Sequence, residues 1–175
     1  GEPINVHQKK EYIDSLLDQV SYIGTVTFTG GEPTLNVPIM EYFLEQCKVK
    51  GVSVDGFYVV TNGIKVPESF VIFCLKMYSF CNEKDLCCVQ VSNDEFHDWE
   101  GQYNVELLKC LSFFSKKFEK DRYNYNRGTS LIKEGRSNQG CDVYYVEEDS
   151  ITLDEFDELE LSLNCKGEII NGCNW

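Results

Sequence analysis

Three short apolar runs constrain this chain more than any other feature. Each ends in a polar or glycine-containing turn, and each turn leads into a stretch with helical spacing. The first run, Gly24-Thr25-Val26-Thr27-Phe28, is rich in β-branched residues and reads as a buried strand. After its Gly-Gly corner, Asn36 stands as an N-cap and Pro38 in the first turn of a helix. Ile39, Tyr42, Phe43 and Cys47 mark the apolar side of that helix, which should stop near Gly51. The second run, Gly56-Phe57-Tyr58-Val59-Val60, ends in Thr61-Asn62-Gly63. Pro67-Glu68-Ser69 then opens a helix with Val71, Cys74, Leu75 and Tyr78 expected inward. The third run, Leu86 to Ser92, ends in Asn93-Asp94-Glu95-Phe96-His97. Leu107, Leu108, Leu111, Phe114 and Phe118 follow at the spacing of one more helix. Upstream, Asn5 and Gln8 make a capping-box-like start, and Tyr12, Leu16, Val20 and Ile23 place a first helix over 6–22. Strands alternating with helices imply parallel pairing through right-handed crossovers, so the expected class is α/β. In such folds the loops after the strands gather on one sheet edge and build the ligand site.

The corner after the first strand is the most chemically specific of these loops. Gly30 and Gly31 let a ligand approach bare backbone, and Pro33 pushes Glu32 out of the helical region. A carboxylate held at the mouth of a strand suits a ligand carrying a free amino group.

Composition narrows the classes. The chain has 175 residues, enough for one domain with a sizeable core, and a net charge of −13, which argues against general nucleic-acid binding. No apolar run is long enough to span a bilayer, and the start, Gly1-Glu2-Pro3-Ile4, is neither basic nor apolar. The nine cysteines are odd in number and scattered, with Cys47, Cys74 and Cys110 inside helical or strand patterns. That usage fits reduced thiols in a cytoplasmic core.

Beyond residue 120 the alternation lapses. Thr129 to Lys133 and Asp142 to Val146 are strand-like. Residues 147–160 carry a run of acids, and no Lys or Arg appears from Cys141 to Cys165. Leu159-Glu160-Leu161-Ser162-Leu163 alternates as a half-exposed strand, and Lys166-Gly167-Glu168 reads as a hairpin turn into Ile169-Ile170. The expected organisation is one α/β body over 1–140 and a small, acidic, β-rich extension over 141–175 packed on it.

Thr29-Gly30-Gly31-Glu32-Pro33 after a strand resembles the GGEP motif of the radical S-adenosylmethionine (radical SAM) enzymes. Thr61-Asn62-Gly63 and Ser92-Asn93-Asp94 end the next two strands as similar motifs do in many members, and Gly135-Arg136-Ser137 is a weaker match further on. The resemblance covers residues 6–140. It implies a parallel-stranded partial (β/α)6-type barrel, here without its first strand, whose cofactors are S-adenosylmethionine and a [4Fe–4S] cluster. It also implies that the Gly30-Gly31-Glu32 corner receives the methionine amino group through backbone carbonyls and the Glu32 carboxylate, with Thr29 and Pro33 beside it as cofactor-binding residues. Asn62, Ser92 and Asp94 would face the ribose and methionine parts. The family's reaction is reductive cleavage of the cofactor to a 5′-deoxyadenosyl radical that abstracts a hydrogen from a small-molecule or peptide substrate.

One departure is decisive. The family holds its cluster with Cys-x-x-x-Cys-x-x-Cys ahead of the first crossover helix, and that motif is absent from this sequence. Cys81, Cys87 and Cys88 have the wrong spacing, as do Cys165 and Cys173. The simplest expectation is that the cysteines lie upstream of Gly1 in the intact protein, so that this chain alone is expected to hold neither the cluster nor S-adenosylmethionine and to be inactive. The alternative is a non-catalytic binding or scaffold protein on a degenerate barrel, using its acidic region at 147–160 for a partner. On either reading catalytic residues are not assigned, and no metal site follows from the sequence. His97 reads as a surface loop residue, because no ligand spacing surrounds it. Cys141, Cys165 and Cys173 lack the clustered spacing of an auxiliary metal site. Absence of the first strand would leave one edge of the Gly24–Thr29 strand unpaired, an edge expected to self-associate.

Overall fold

The structure is a computed structural model, and it describes residues 6–29, 31–92, 105–115, 161–163 and 169–171. The chain divides into two compact units, Ile13–Tyr125 and Gly1–Tyr12 with Asn126–Trp175. The first helix is α1 (Val6–Leu17). In the larger unit there follow β1 (Tyr22–Phe28), α2 (Val37–Lys50), β2 (Ser53–Thr61), α3 (Glu68–Phe80) and β3 (Cys88–Val91). Single 3₁₀ turns stand at Pro33–Leu35, Lys84–Leu86 and Leu108–Cys110. No helix among the described residues is long and apolar enough to cross a membrane.

The expected α/β class and parallel pairing hold. The three strands form one open sheet in the order β1-β2-β3, both pairs parallel. The registers Phe28↔Val59, Val59↔Val89 and Thr61↔Val91 put these side chains in rows on one face. Helices α2 and α3 cover that face. Phe28 meets Phe43 and Phe73 edge-on, with ring centroids 5.6 and 5.5 Å apart. Phe57, Val59, Val89, Phe70, Phe73, Cys74 and Met77 are completely buried there. A sheet whose strands follow chain order, joined by crossovers of one hand, carries its connecting helices on one side.

The opposite face has another character. Thr25 and Thr27 are exposed, and Tyr58, Val60, Cys88 and Gln90 are half-buried. Tyr58 Oη donates to Gln90 Oε1 across the β2–β3 register. At the N-terminal end of the strands this face is closed by the Lys84–Leu86 turn, where Asn82 and Glu83 donate to the carbonyls of Val54 and Asp55. Gly56 makes that closure possible, because a Cβ on it would stand 2.4 Å from Leu86 Cβ and 2.7 Å from its carbonyl oxygen.

Several local expectations are corrected. Helix α1 ends at Leu17, not 22, because Ile23 belongs to the β-branched strand, and its buried residues are Ile13 and Leu17. In α3 the inward residues are Phe70, Phe73, Cys74 and Met77, while Leu75 is 49% exposed; the larger aromatic side chains claim the sheet side. The helix expected from Leu107 onward is a single 3₁₀ turn. Leu111 is already extended, and Phe113 and Ser115 bond to both sides of Val89, so Phe114 lies parallel beside β3. Phe113 meets Phe57 edge-on and stacks on Tyr78 with centroids 4.5 Å apart, which draws the segment onto the sheet rather than into a helix. Phe118 lies outside the described residues. Helix α2 stops as expected at Gly51, whose φ of 70° is left-handed, but its buried residues are Val37, Met40, Phe43, Leu44 and Cys47, and the expected Ile39 and Tyr42 are only half-buried.

In the smaller unit, β4 (Leu161–Leu163) pairs antiparallel with β5 (Ile169–Asn171), with Ser162 opposite Ile170. This is the hairpin expected from the sequence. The strand-like stretches 129–133 and 142–146 and the acidic run at 147–160 fall outside the described residues.

Substituting Gly56→Ala should force β2 and the Lys84–Leu86 turn apart, because the clash is with backbone as well as side chain. Chemical denaturation is expected to show a loss of about 1–3 kcal/mol. An unchanged midpoint would mean that this closure is loose.

Candidate functional site

The C-terminal ends of all three parallel strands lie at one edge, so the residues following Phe28, Thr61 and Val91 meet there. Of the residues singled out from the sequence, Thr29, Gly31, Glu32, Pro33, Asn62 and Ser92 are placed at this edge. Gly30 and Asp94 lie outside the described residues.

Local geometry follows from the sequence. Gly31 has a φ of 57° and no atom within 4 Å of the position a Cβ would take, so this glycine serves the turn rather than packing. Glu32, held before Pro33, is extended at φ −137°, ψ 111°, and N-caps the 3₁₀ turn that Pro33 begins. Pro33 and Thr34 are buried beneath it. Asn36 precedes α2 as expected, but its side chain makes no cap hydrogen bond; its N–H donates to the Pro33 carbonyl instead.

Glu32 is the centre of the arrangement. Its Oε1 accepts from Thr34 N (3.1 Å), Thr34 Oγ1 (2.8 Å) and Thr61 Oγ1 (2.6 Å), and its Oε2 accepts from Asn62 N (2.8 Å). One carboxylate thus ties the β1 corner to the end of β2. A carboxylate offers about four acceptor directions, two on each oxygen. Oε1 is crowded and Oε2 retains room for one further donor. The network continues outward: Gly63 N donates to Thr61 Oγ1 at 3.1 Å, Ile64 N to Asn62 Oδ1 at 2.9 Å, and Ser92 N to the Thr61 carbonyl at 2.8 Å. Gly63 has a φ of 68°, and a Cβ there would meet Val91 Cγ1 at 3.0 Å. The ends of β2 and β3 are therefore closely packed.

Thr34 and Thr61 were not among the residues the sequence singled out. Their signal was present: a hydroxyl at the end of a buried run must find a partner or be costly to bury. Thr61 is 1% exposed and Thr34 4%.

The thiols have no such organisation. Of the described cysteines, Cys47, Cys74, Cys81 and Cys87 are buried, Cys88 is half-buried and Cys110 is exposed. Burial pushes Cys47 up to about 11 and Cys74 to about 12. Cys81 is also raised to about 12, by burial first and then by the neighbouring Cys87. Buried neutral thiols are poor metal ligands, since the thiolate is the ligand. Among the described residues no group of three or more His, Cys, Asp or Glu side chains could hold a metal ion. Glu32 Oε2, with Asn62 N as its one donor among the described residues, keeps acceptor capacity at this edge.

Comparison of the chain with protein-family models, with curated proteins and with solved structures finds no match.

Two outcomes test this description. Replacing the acceptor-only carboxylate by an amide in Glu32→Gln turns an NH₂ group toward donors, so urea unfolding should show a loss of about 1–3 kcal/mol. Retained stability would mean that the network is dispensable. For the thiols, folded values above an ordinary thiol near 9.0 mean that the unfolded chain releases protons first as pH rises. Their contribution to stability is complete below pH 9 and is lost between there and about 12. Alkylation at pH 8 should label Cys110 and spare Cys47, Cys74 and Cys81; rapid labelling of the three would contradict their burial.

Proposed function

We propose that this chain is the S-adenosylmethionine-binding core of a radical SAM-type enzyme. The observation that carries the reading is the Glu32 carboxylate, fixed between the Gly-Gly-Glu-Pro corner and the Thr61-Asn62 strand end. Three motifs matched in chain order also lie on consecutive parallel strands, each at its C-terminal end, where ligands bind in such sheets.

The winding of the sheet supports the finer fold proposal as well. Sequential parallel strands with helices on one face and a half-open polar face on the other are the arrangement of a (β/α) barrel segment. We take the sheet as part of a partial barrel, with Thr25, Thr27, Tyr58 and Gln90 toward the interior.

In this reading Glu32 Oε2 takes an N–H of the methionine ammonium. Thr29, Gly31, Asn62 and Ser92 line the rest of the cradle, with Gly30 and Asp94 beside them in sequence. Bound to a reduced [4Fe–4S] cluster, the cofactor supplies the hydrogen-abstracting radical. The described residues do not supply the cluster's thiolates, so their part is to bind and orient the cofactor. A ligand on the half-open face would be the substrate, a small molecule or peptide.

The complete gene product, made and reconstituted anaerobically with ferrous iron and sulfide, is expected to acquire thiolate-to-iron charge-transfer absorption. With dithionite and S-adenosylmethionine it should release 5′-deoxyadenosine, and Glu32→Ala should suppress that release at least tenfold. A complete product that takes up no iron and releases no 5′-deoxyadenosine would overturn the proposal.

A further inference from the structure

We infer that Thr61 is a positioning residue for Glu32: its hydroxyl fixes the carboxylate so that Oε2 alone keeps room for one incoming N–H donor. The inference rests on the ligand reading above and adds a residue which that reading does not need.

The Thr61 hydroxyl carries a single proton and can accept as well as donate. Gly63 N donates to Thr61 Oγ1 at 3.1 Å, so that oxygen is already an acceptor. Its own proton then goes to Glu32 Oε1, 2.6 Å away. The direction of the bond is dictated by backbone, and the backbone is held. Gly63 sits at a φ of 68° against Val91 and Val105, and Thr61 is 1% exposed. With Thr34 N and Oγ1 on the same oxygen, Oε1 has three donors and no room for a ligand. Among the described residues, Oε2 has Asn62 N alone. The carboxylate therefore presents one vacant acceptor direction, matched to a donor-rich ammonium and not to another acceptor. Loss of the Thr61 hydroxyl would leave Oε1 with the two Thr34 donors only. The last torsion of Glu32 would no longer be pinned from β2, and Gly63 N would lose its acceptor.

The test uses the complete gene product, reconstituted with its cluster, carrying Thr61→Val, which keeps the shape, or Thr61→Ser, which keeps the hydroxyl. Dissociation constants are measured by equilibrium dialysis for S-adenosylmethionine and for its des-amino analogue. Thr61→Val should weaken S-adenosylmethionine at least tenfold while changing the des-amino analogue less than threefold, and Thr61→Ser should stay within threefold of the parent for both. Equal weakening of both ligands by Thr61→Val, or no weakening of either, would overturn the inference. A second arm needs no ligand. Hydrogen exchange at the Asn62 and Thr34 amides should speed up at least tenfold in Thr61→Val and hold in Thr61→Ser. Unchanged exchange would also overturn it. If the parent binds neither compound, the dialysis counts against the ligand reading, and the exchange arm still decides whether Thr61 fixes Glu32. Thr34→Val, which deletes a different donor to the same oxygen, is run in parallel and should shift both readouts in the same direction as Thr61→Val.

Discussion

The interaction on which the site depends is a half-buried carboxylate shared between two strand ends. Glu32 belongs to the loop after β1, yet two of its four donors, Thr61 Oγ1 and Asn62 N, belong to the end of β2. The other two, both from Thr34, keep it in its own turn. A charged acceptor with several hydrogen bonds is among the stronger local ties available to a protein, and its removal leaves buried donors unsatisfied. This bond replaces a backbone ladder where the ladder stops. The last β1–β2 register pair is Phe28↔Val59, and the carboxylate reaches beyond it to hold Thr61 and Asn62.

The sheet beneath supplies the rigidity. Its helix-covered face is completely buried at Phe57, Val59 and Val89, and Phe28 bridges α2 and α3 through two edge-on ring contacts. That packing fixes the ends of the strands relative to one another. Among the described residues, the other face is fastened at the N-terminal end, where Leu86 lies over Gly56. A parallel sheet ordinarily has both faces covered. Here the half-buried polar residues lie nearer the edge at which Glu32 sits, so the open surface and the carboxylate are parts of one region.

Much of this was legible in the sequence, for physical reasons that differ from element to element. The three strands showed because β-branched runs ended in turns that cannot continue a ladder. The cap at Gly51 showed because glycine adopts the left-handed conformation without strain. The hairpin at Leu161–Asn171 showed through strict alternation. The extended Glu32 followed from Pro33 alone. What failed were contests between periodicity and tertiary contact. Leu107, Leu108, Leu111 and Phe114 have helical spacing, but Phe113 between them finds Phe57 and Tyr78, and the backbone of Phe113–Ser115 finds Val89. In α3 the spacing allowed two adjacent faces, and aromatic volume chose the one carrying Phe70 and Phe73. Spacing does not rank side chains by what waits on the other side.

The candidate site was legible by residue type and not by role. The motif placed a carboxylate at the strand mouth but did not reveal that one of its oxygens is occupied by the protein. That distinction turns on Thr34 and Thr61, two hydroxyls that read in sequence as ordinary β-branched residues. Their effect is to divide one carboxylate into two unequal halves. Among the described residues, Oε1 acts as a structural acceptor with three donors, while Oε2 has one and keeps acceptor capacity. A freely rotating glutamate would present either oxygen to a ligand and lose orientational entropy on binding. Here that ordering is established on folding, so in the proposed function a ligand ammonium would meet an acceptor whose direction is already set.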